Sequence, residues 1–358
     1  MFSIPQVDTQ AAAAAGVRQG RLTKPSGALG YLEDLSIWCA AVQGACPPHA
    51  FHRPALVILA GDHGIADRPG ISAYPPEVTG QMVLNFVAGG AAANVLARQH
   101  GVQLHVFDIS VRPTPEYLER VPSHVRRFHV ADGSGRVDRE DAIDWRGANE
   151  ALQHGRSIAA ALASEGIDLL VPGDMGIGNT TIAAATIGHF TASTSMEVTG
   201  TGTGIGVEER KHKAHVVETI MSRMAEKSPL EALAIGSSPD LIAMVGLMLG
   251  CIEQRIPVLL DGVVSAAAAL ATEALAPGAR QWMSGGHRST EPAQTIALSN
   301  LGLRPILDLG MRLGEGTGGL AALPVLQSAA LTLAQMATFD QARVSNRATS
   351  HRSDPDPP

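Results

Sequence analysis

Five short apolar runs, each delivering the chain to an acidic residue, constrain the fold more than any other feature. Residues 55–60 lead to Asp62 and residues 103–107 to Asp108. Residues 167–171 lead to Asp174, residues 256–260 to Asp261, and residues 304–307 to Asp308. Runs this short, bounded by turn residues, are what strands buried on both faces of a parallel sheet require. Between them lie stretches with helical apolar spacing at 89–100, 149–164, 180–188, 208–227 and 262–275. Strand alternating with helix predicts an α/β fold with a doubly wound, mainly parallel sheet. Ligands of such sheets bind at the carboxyl ends of the strands, so acids recurring there predict a functional edge. One acid in such a place is an ordinary turn residue or helix cap; five together favour function.

Composition narrows the class. With 45% hydrophobic and 17% charged residues, the chain of 358 residues can bury a core, as two or three domains or as one large domain with additions. Aromatics make up 4% while Ala and Gly abound, so helices should pack closely through small residues. A net charge of −7, without basic clusters interleaved with aromatics, argues against a nucleic-acid partner. Cys39, Cys46 and Cys251 are odd in number and lack metal-ligand spacing, which fits free thiols in a reducing compartment and no metal. The N-terminal residues lack a basic segment followed by an apolar one, so no signal peptide is expected. The longest apolar run, 241–252, is too short for a bilayer. A soluble, cytoplasmic protein without a membrane partner is the expectation.

Helical patterns at 11–20 and 29–43 precede a proline break at Pro47 and Pro48, and an apolar helical stretch at 321–337 can pack on them. The expected organisation is a small helical domain from 1–45 plus 320–345, a large α/β domain at 46–319, and a polar, proline-rich disordered tail at 346–358.

Four stretches could carry chemistry. Residues 304–309 feed a loop in which Gly310, Gly314, Gly316 and Gly318 surround Glu315 and Thr317. Glycine there lets backbone approach a ligand, and Glu315 is either the reacting group or an acid in the first turn of a helix. Residues 61–86 supply Ser72 and Gln81 with Tyr74 and Phe86, a mixture suited to a flat heteroaromatic ligand, or else a proline-led amphipathic helix. Asp62 and His63 are a catalytic pair or a structural turn. Residues 171–181 run from a strand through Gly173, Gly176 and Gly178 to a helix opened by Asn179, Thr180 and Thr181, a geometry for an anion. Residues 199–206 alternate Thr and Gly ahead of Arg210, Lys211 and Lys213, a phosphate seat or a linker to a solvated helix. A further polar loop, 285–292, fits a ligand or a subunit contact, and composition does not choose. Nothing matches a P-loop, a nucleophile elbow or a zinc-protease helix. The residues favour positioning chemistry on a phosphorylated metabolite, with a carboxylate base.

These stretches resemble one family closely, the nicotinate-nucleotide–dimethylbenzimidazole phosphoribosyltransferases of cobalamin lower-ligand synthesis. The matching segments are 22–27, Gly61-Asp62-His63-Gly64, Ser72-Ala73-Tyr74-Pro75, Glu77-Val78-Thr79, Gln81-Met82, Asn85-Phe86, 175–181, 200–204, Asp261-Gly262, 286–292 and 308–318. They occur in order. The resemblance implies a Rossmann-like domain with a smaller helical domain from both chain ends, in a homodimer. It implies transfer of phosphoribose from nicotinate mononucleotide to 5,6-dimethylbenzimidazole by inverting displacement, with no cofactor. Carried over, Glu315 is the catalytic base and Asp174 a second carboxylate. Ser72, Tyr74, Gln81, Met82 and Leu313 fall to the benzimidazole, while Gly176, Ile177, Gly178, Asn179, Thr180, Gly202, Thr203, Gly204, Lys213 and Asp261 fall to the phosphoribosyl and nicotinate parts. Asp174 departs from the more usual Glu, retracting the carboxylate by roughly 1.5 Å, which suits a supporting role near the ribose better than proton transfer. Ala28 and Tyr31 also depart from the usual Ser and Arg, in a segment read as structural. A different class of reading is a binding protein that keeps the pocket without turnover; a third is hydrolysis of the same nucleotide.

Overall fold

A computed structural model describes residues 2–201 and 206–345. The assignments of Gly202, Thr203, Gly204 and the tail at 346–358 lie outside the described residues.

The strands are β1 (Pro54–Gly61), β2 (Gln103–Ser110), β3 (Leu169–Met175), β4 (Val258–Leu260), β5 (Met283–His287) and β6 (Pro305–Leu307). They form one sheet in the order β2-β1-β3-β4-β5-β6, and every pairing is parallel. All eight residues of β1 are buried, as a run apolar on both faces demands. The chain steps outward from β1 to β2, then returns to the other side of β1 for β3 and the rest. That reversal between β1 and β3 opens a crevice at the carboxyl edge.

The five runs all become strands, with ends shifted by a residue or more. β5 is the strand the apolar pattern misses, because Met283-Ser284-Gly285-Gly286-His287 has one large apolar residue. The five acids divide. Asp62 accepts from the backbone of Arg112 at 2.8 Å. Asp108, fully buried, holds the backbone of Val111, the hydroxyl of Tyr117, Arg126 Nε and His129 Nδ1. Asp308 is exposed and pairs with Arg288 at 2.9 Å. Asp174 lines the cavity described below, and Asp261 stands behind one of its loops.

Helices flank both faces. Trp145–Ser164 packs against Pro239–Glu253, and small residues set how closely. A Cβ on Gly155 would run into the carbonyl of Ala243, and one on Gly246 into the carbonyl of Leu152. The chain divides into two compact units, one of residues up to Gln6 with Phe51–Val325, the other of Val7–Ala50 with the segment from Leu326 onward. In the second unit Ala15, Leu22, Ala40 and Leu333 form a buried cluster. There Arg18 donates to the carbonyls of Leu333 (2.7 Å) and Ala334 (3.0 Å), satisfying a helix end.

Two stretches, Val78–His100 and Thr317–Gln335, have the length and hydropathy of a membrane span by composition, which the run at 241–252 did not anticipate. The first is divided into two helices. The second buries Leu320, Leu323, Leu326, Ala330 and Leu333, the stripe of a core helix.

Backbone contact at Gly246 makes a direct prediction. Gly246→Ala should cost about 3 kcal/mol, the upper range for overpacking, read as a lowered urea midpoint at unchanged slope. An unshifted midpoint would mean the two helices are not in backbone contact.

Candidate active site

At the carboxyl edge of the sheet lies a cavity of about 630 Å³, the size that takes a nucleotide-scale ligand. Its walls come from the segments after β1, β3, β4, β5 and β6.

The segment after β3 forms one wall. Gly176 fits because a Cβ there would meet the carbonyl of Gly61 and the ring of His63. His63, 1% exposed, bonds the carbonyl of Ile177 through Nδ1 (3.1 Å) and Asp240 through Nε2 (3.1 Å). Burial opposes its charge, but Asp240 prevails and its pKa is raised. It is a tether rather than one of the lining residues. Ile177 donates its N–H to Thr79 Oγ1 at 3.2 Å. Gly178, at φ 93, then opens the helix Asn179–Thr191 without a side-chain cap, the N–H groups of Asn179 and Thr181 turning back to the carbonyls of Gly176 and Gly178. Behind this turn, Lys213 is 1% exposed and donates to Thr180 Oγ1 at 2.7 Å. Burial pulls its pKa down to about 8 against the opposing charge of Glu291. A buried ammonium beside a helix start suits an anion.

Asp174, at the end of β3, is 5% exposed and accepts from Asn179 Nδ2 at 2.6 Å. Burial first, then the charge of Asp261, pushes its pKa up to about 7, although the Asn179 hydrogen bond opposes the shift.

Glu315 sits across from it, 6% exposed, on the loop after β6. Its φ is +61°, between Gly314 at +83° and Gly316 at +79°. A non-glycine residue there is strained by roughly 1–2 kcal/mol, so the surroundings must impose it. Asp261 does so: its carboxylate accepts the N–H groups of Gly316 (3.0 Å), Gly318 (2.7 Å) and Gly319 (3.1 Å). Gly173 lets the loop lie on β3, since a Cβ there would stand 2.9 Å from the carbonyl carbon of Glu315. Burial, then the charge of Asp261, raises the Glu315 pKa to about 7.

The mouth is apolar. Tyr74 is 56% and Leu313 57% exposed, and Ile71, Val78 and Met82 continue the surface. Ser72 also lines it, its hydroxyl accepting from the backbone of Tyr74 at 3.1 Å.

Most of the residues singled out from sequence thus meet: Ser72, Tyr74, Met82, Asp174, Gly176, Ile177, Gly178, Asn179, Thr180, Leu313 and Glu315 all line the cavity. Lys213 stands behind Thr180, and Asp261 behind the Glu315 loop with both oxygens committed to backbone. Gln81 is elsewhere, exposed on a second cavity of about 870 Å³ with Asp62, Arg112 and Tyr117. Sequence reasoning left His287, Ser289 and Glu291 undecided within their polar loop, and missed Arg312 and the helix start at Val263; all five line the first cavity. Among the described residues, no group of three or more His, Cys, Asp or Glu is placed to hold a metal ion.

A doubly wound sheet whose strand-end loops gather a buried lysine at a helix start and two buried carboxyls with pKa values raised to about 7 has the layout of an α/β enzyme with its cavity at the carboxyl edge. A family described as phosphoribosyltransferase (DBI_PRT) matches residues 4–344. Its relatives include the nicotinate-nucleotide–dimethylbenzimidazole phosphoribosyltransferase of Mycobacterium avium (strain 104), 48% identical over 344 residues covering 95% of this chain and 96% of that one. The enzyme of that name from Mycobacterium tuberculosis is 47% identical over 345 residues, covering 95% and 93%. A crystal structure of CobT from Thermus thermophilus superposes with a TM-score of 0.89 at 41% identity, covering 94% of this chain and 100% of that one. The chain belongs to this phosphoribosyltransferase family.

The buried Glu315 carboxyl has a stability consequence. Its pKa rises from 4.5 to about 7 on folding, so between those values the folded protein binds the extra proton. Stability therefore falls as pH rises through that window, by on the order of 3 kcal/mol for this group. Glu315→Gln should be more stable than the unmutated protein at pH 8 and gain nothing at pH 4.5. Parallel urea-stability profiles for the two proteins would contradict the burial.

Proposed function

We propose that the protein transfers the 5-phosphoribosyl group of nicotinate mononucleotide to 5,6-dimethylbenzimidazole, giving α-ribazole 5′-phosphate and nicotinate. The observation that carries the reading is Glu315, a carboxylate pinned in a cavity with a pKa near 7, opposite an anion seat. One ring nitrogen of the benzimidazole attacks C1′ from the face opposite nicotinate. The C1′–nitrogen bond to nicotinate breaks, and its electron pair returns to the pyridine ring. The other benzimidazole nitrogen gives its proton to Glu315 as positive charge develops on the ring. A base with a pKa near the working pH is suited to that transfer.

Ser72, Tyr74, Met82 and Leu313 support the flat base at the apolar mouth. Gly176 to Thr180 and Lys213 support the phosphoribosyl group. Asp174 lies near enough to the Glu315 loop to face the positive charge at C1′; a Cβ on Gly314 would stand 3.6 Å from its Oδ1. The same reading makes the protein a cytoplasmic homodimer, supported by the resemblance to its relatives.

Glu315→Gln should leave nicotinate mononucleotide binding intact by calorimetry and lower turnover by about 10²–10⁴-fold. In the unmutated protein kcat/KM should fall as pH drops through about 7, where Glu315 takes up its proton. Unchanged turnover in the variant would remove Glu315 from its role. Lys213→Ala should raise KM for the nucleotide about 10–100-fold, the loss of one charged hydrogen bond. An effect confined to KM for the base contradicts the anion seat.

A further inference from the structure

The helix Pro292–Leu301 buries Ala297, Leu298 and Leu301 on one stripe, and Gln294 lies on that stripe at 0% exposure. An amide among apolar neighbours is costly unless every polar atom is met. Here each is. Nε2 donates to the carbonyl of Asp261 (2.8 Å) and to the carbonyl of His287 (2.9 Å), and Oε1 accepts the N–H of Ser289 (2.5 Å). One side chain therefore fixes the backbone after β4, at the end of β5 and in the loop beyond it.

Both connections continue to the catalytic loop. Asp261 holds the N–H groups of Gly316, Gly318 and Gly319. The segment after Ser289 is tied to the same loop by the N–H of Thr290 on the carbonyl of Met311 at 3.3 Å. His287 packs its ring on Gly318, where a Cβ would fall inside the imidazole. We propose that Gln294, which is not among the residues lining the cavity, is a positioning residue for Glu315, acting through Asp261 and the β5 loop.

The inference rests on the phosphoribosyl-transfer reading for its kinetic test. The charged and titratable groups lining the same cavity as Glu315 are Asp174 at the end of β3, His287 at the end of β5, Glu291 beyond it and Arg312 on the Glu315 loop, with Asp261 behind that loop and Lys213 behind Thr180. Burial is the first cause of the raised Glu315 pKa. A loop released from Asp261 would admit water, and the carboxyl would return toward 4.5.

The test is Gln294→Met, which keeps the volume and removes three hydrogen bonds. The expected result is a kcat lowered about 10²-fold, the effect of misplacing a reacting group by about 1 Å. KM for both substrates should stay within about threefold, and the acid limb of kcat/KM should move below pH 7. Where this variant fails to fold, Gln294→Asn replaces it, an amide too short to span the three partners. A limb that stays near pH 7 overturns the proposal whatever happens to the rate. Should the unmutated protein not turn over these substrates, the reaction reading fails separately. The positioning is then read without substrate, from the ¹³C titration of the Glu315 carboxyl, identified by its absence in Glu315→Gln. A downward shift in the Gln294 variant supports the proposal, and an unshifted titration overturns it.

Discussion

Three backbone N–H groups converging on the carboxylate of Asp261 are what the rest of the site depends on. They fix Gly316, Gly318 and Gly319, and so hold Glu315 at a positive φ it would not otherwise keep. The energies allow it: hydrogen bonds to a charged group contribute roughly 1.5–3 kcal/mol each, against roughly 1–2 kcal/mol for one left-handed residue. The surplus offsets the burial of Asp261 itself, 1% exposed. The same carboxylate raises the proton affinity of both Asp174 and Glu315. One residue thus pins the backbone that carries Glu315 and adds to the effect of burial on its proton affinity.

Asp174 and Glu315 both stand near 7, and they share Asp261 as a cause. Environment separates their roles more than proton affinity does. Asp174 is held by Asn179, the first residue of the helix Asn179–Thr191. Glu315 is held through its backbone, which leaves its carboxyl oxygens to the cavity. A carboxylate with a committed oxygen suits charge stabilisation; one without suits proton transfer.

The parts of this structure legible in the sequence are those governed by local rules. The runs at 55–60 and 103–107 are strands because nothing else suits such segments, and Gly314 and Gly316 around Glu315 announced an unusual backbone. Asp261 as the anchor of that loop was not legible. The contact joins residues 55 and more positions apart, from strands that are not neighbours. Gln294 left a trace, a polar residue on an apolar helical stripe, but its three partners lie on other elements. Gln81 shows the limit of carrying a motif across as a block. Neighbours in a helix point about 100° apart, so when Val78 and Met82 face the cavity, Gln81 joins Asn85 and Ala88 on the other side.

The strand that escaped the apolar pattern is the one that makes the site possible. Asp261 follows β4 and Glu315 follows β6, so β5 lies between them and the two ladders span roughly 10 Å. For the β6 loop to reach Asp261, it must cross the end of β5 without side chains in the way. Gly286 provides the gap: a Cβ there would stand 3.0 Å from Cα of Gly319 and collide with the carbonyl of Leu260. Gly318 provides the counterpart, lying flat against the ring of His287. The apolar bulk that would have marked β5 as a strand would also have held the Glu315 loop away from its anchor. The weak strand signal and the close crossing therefore have one cause, the absence of side chains where two strand ends meet.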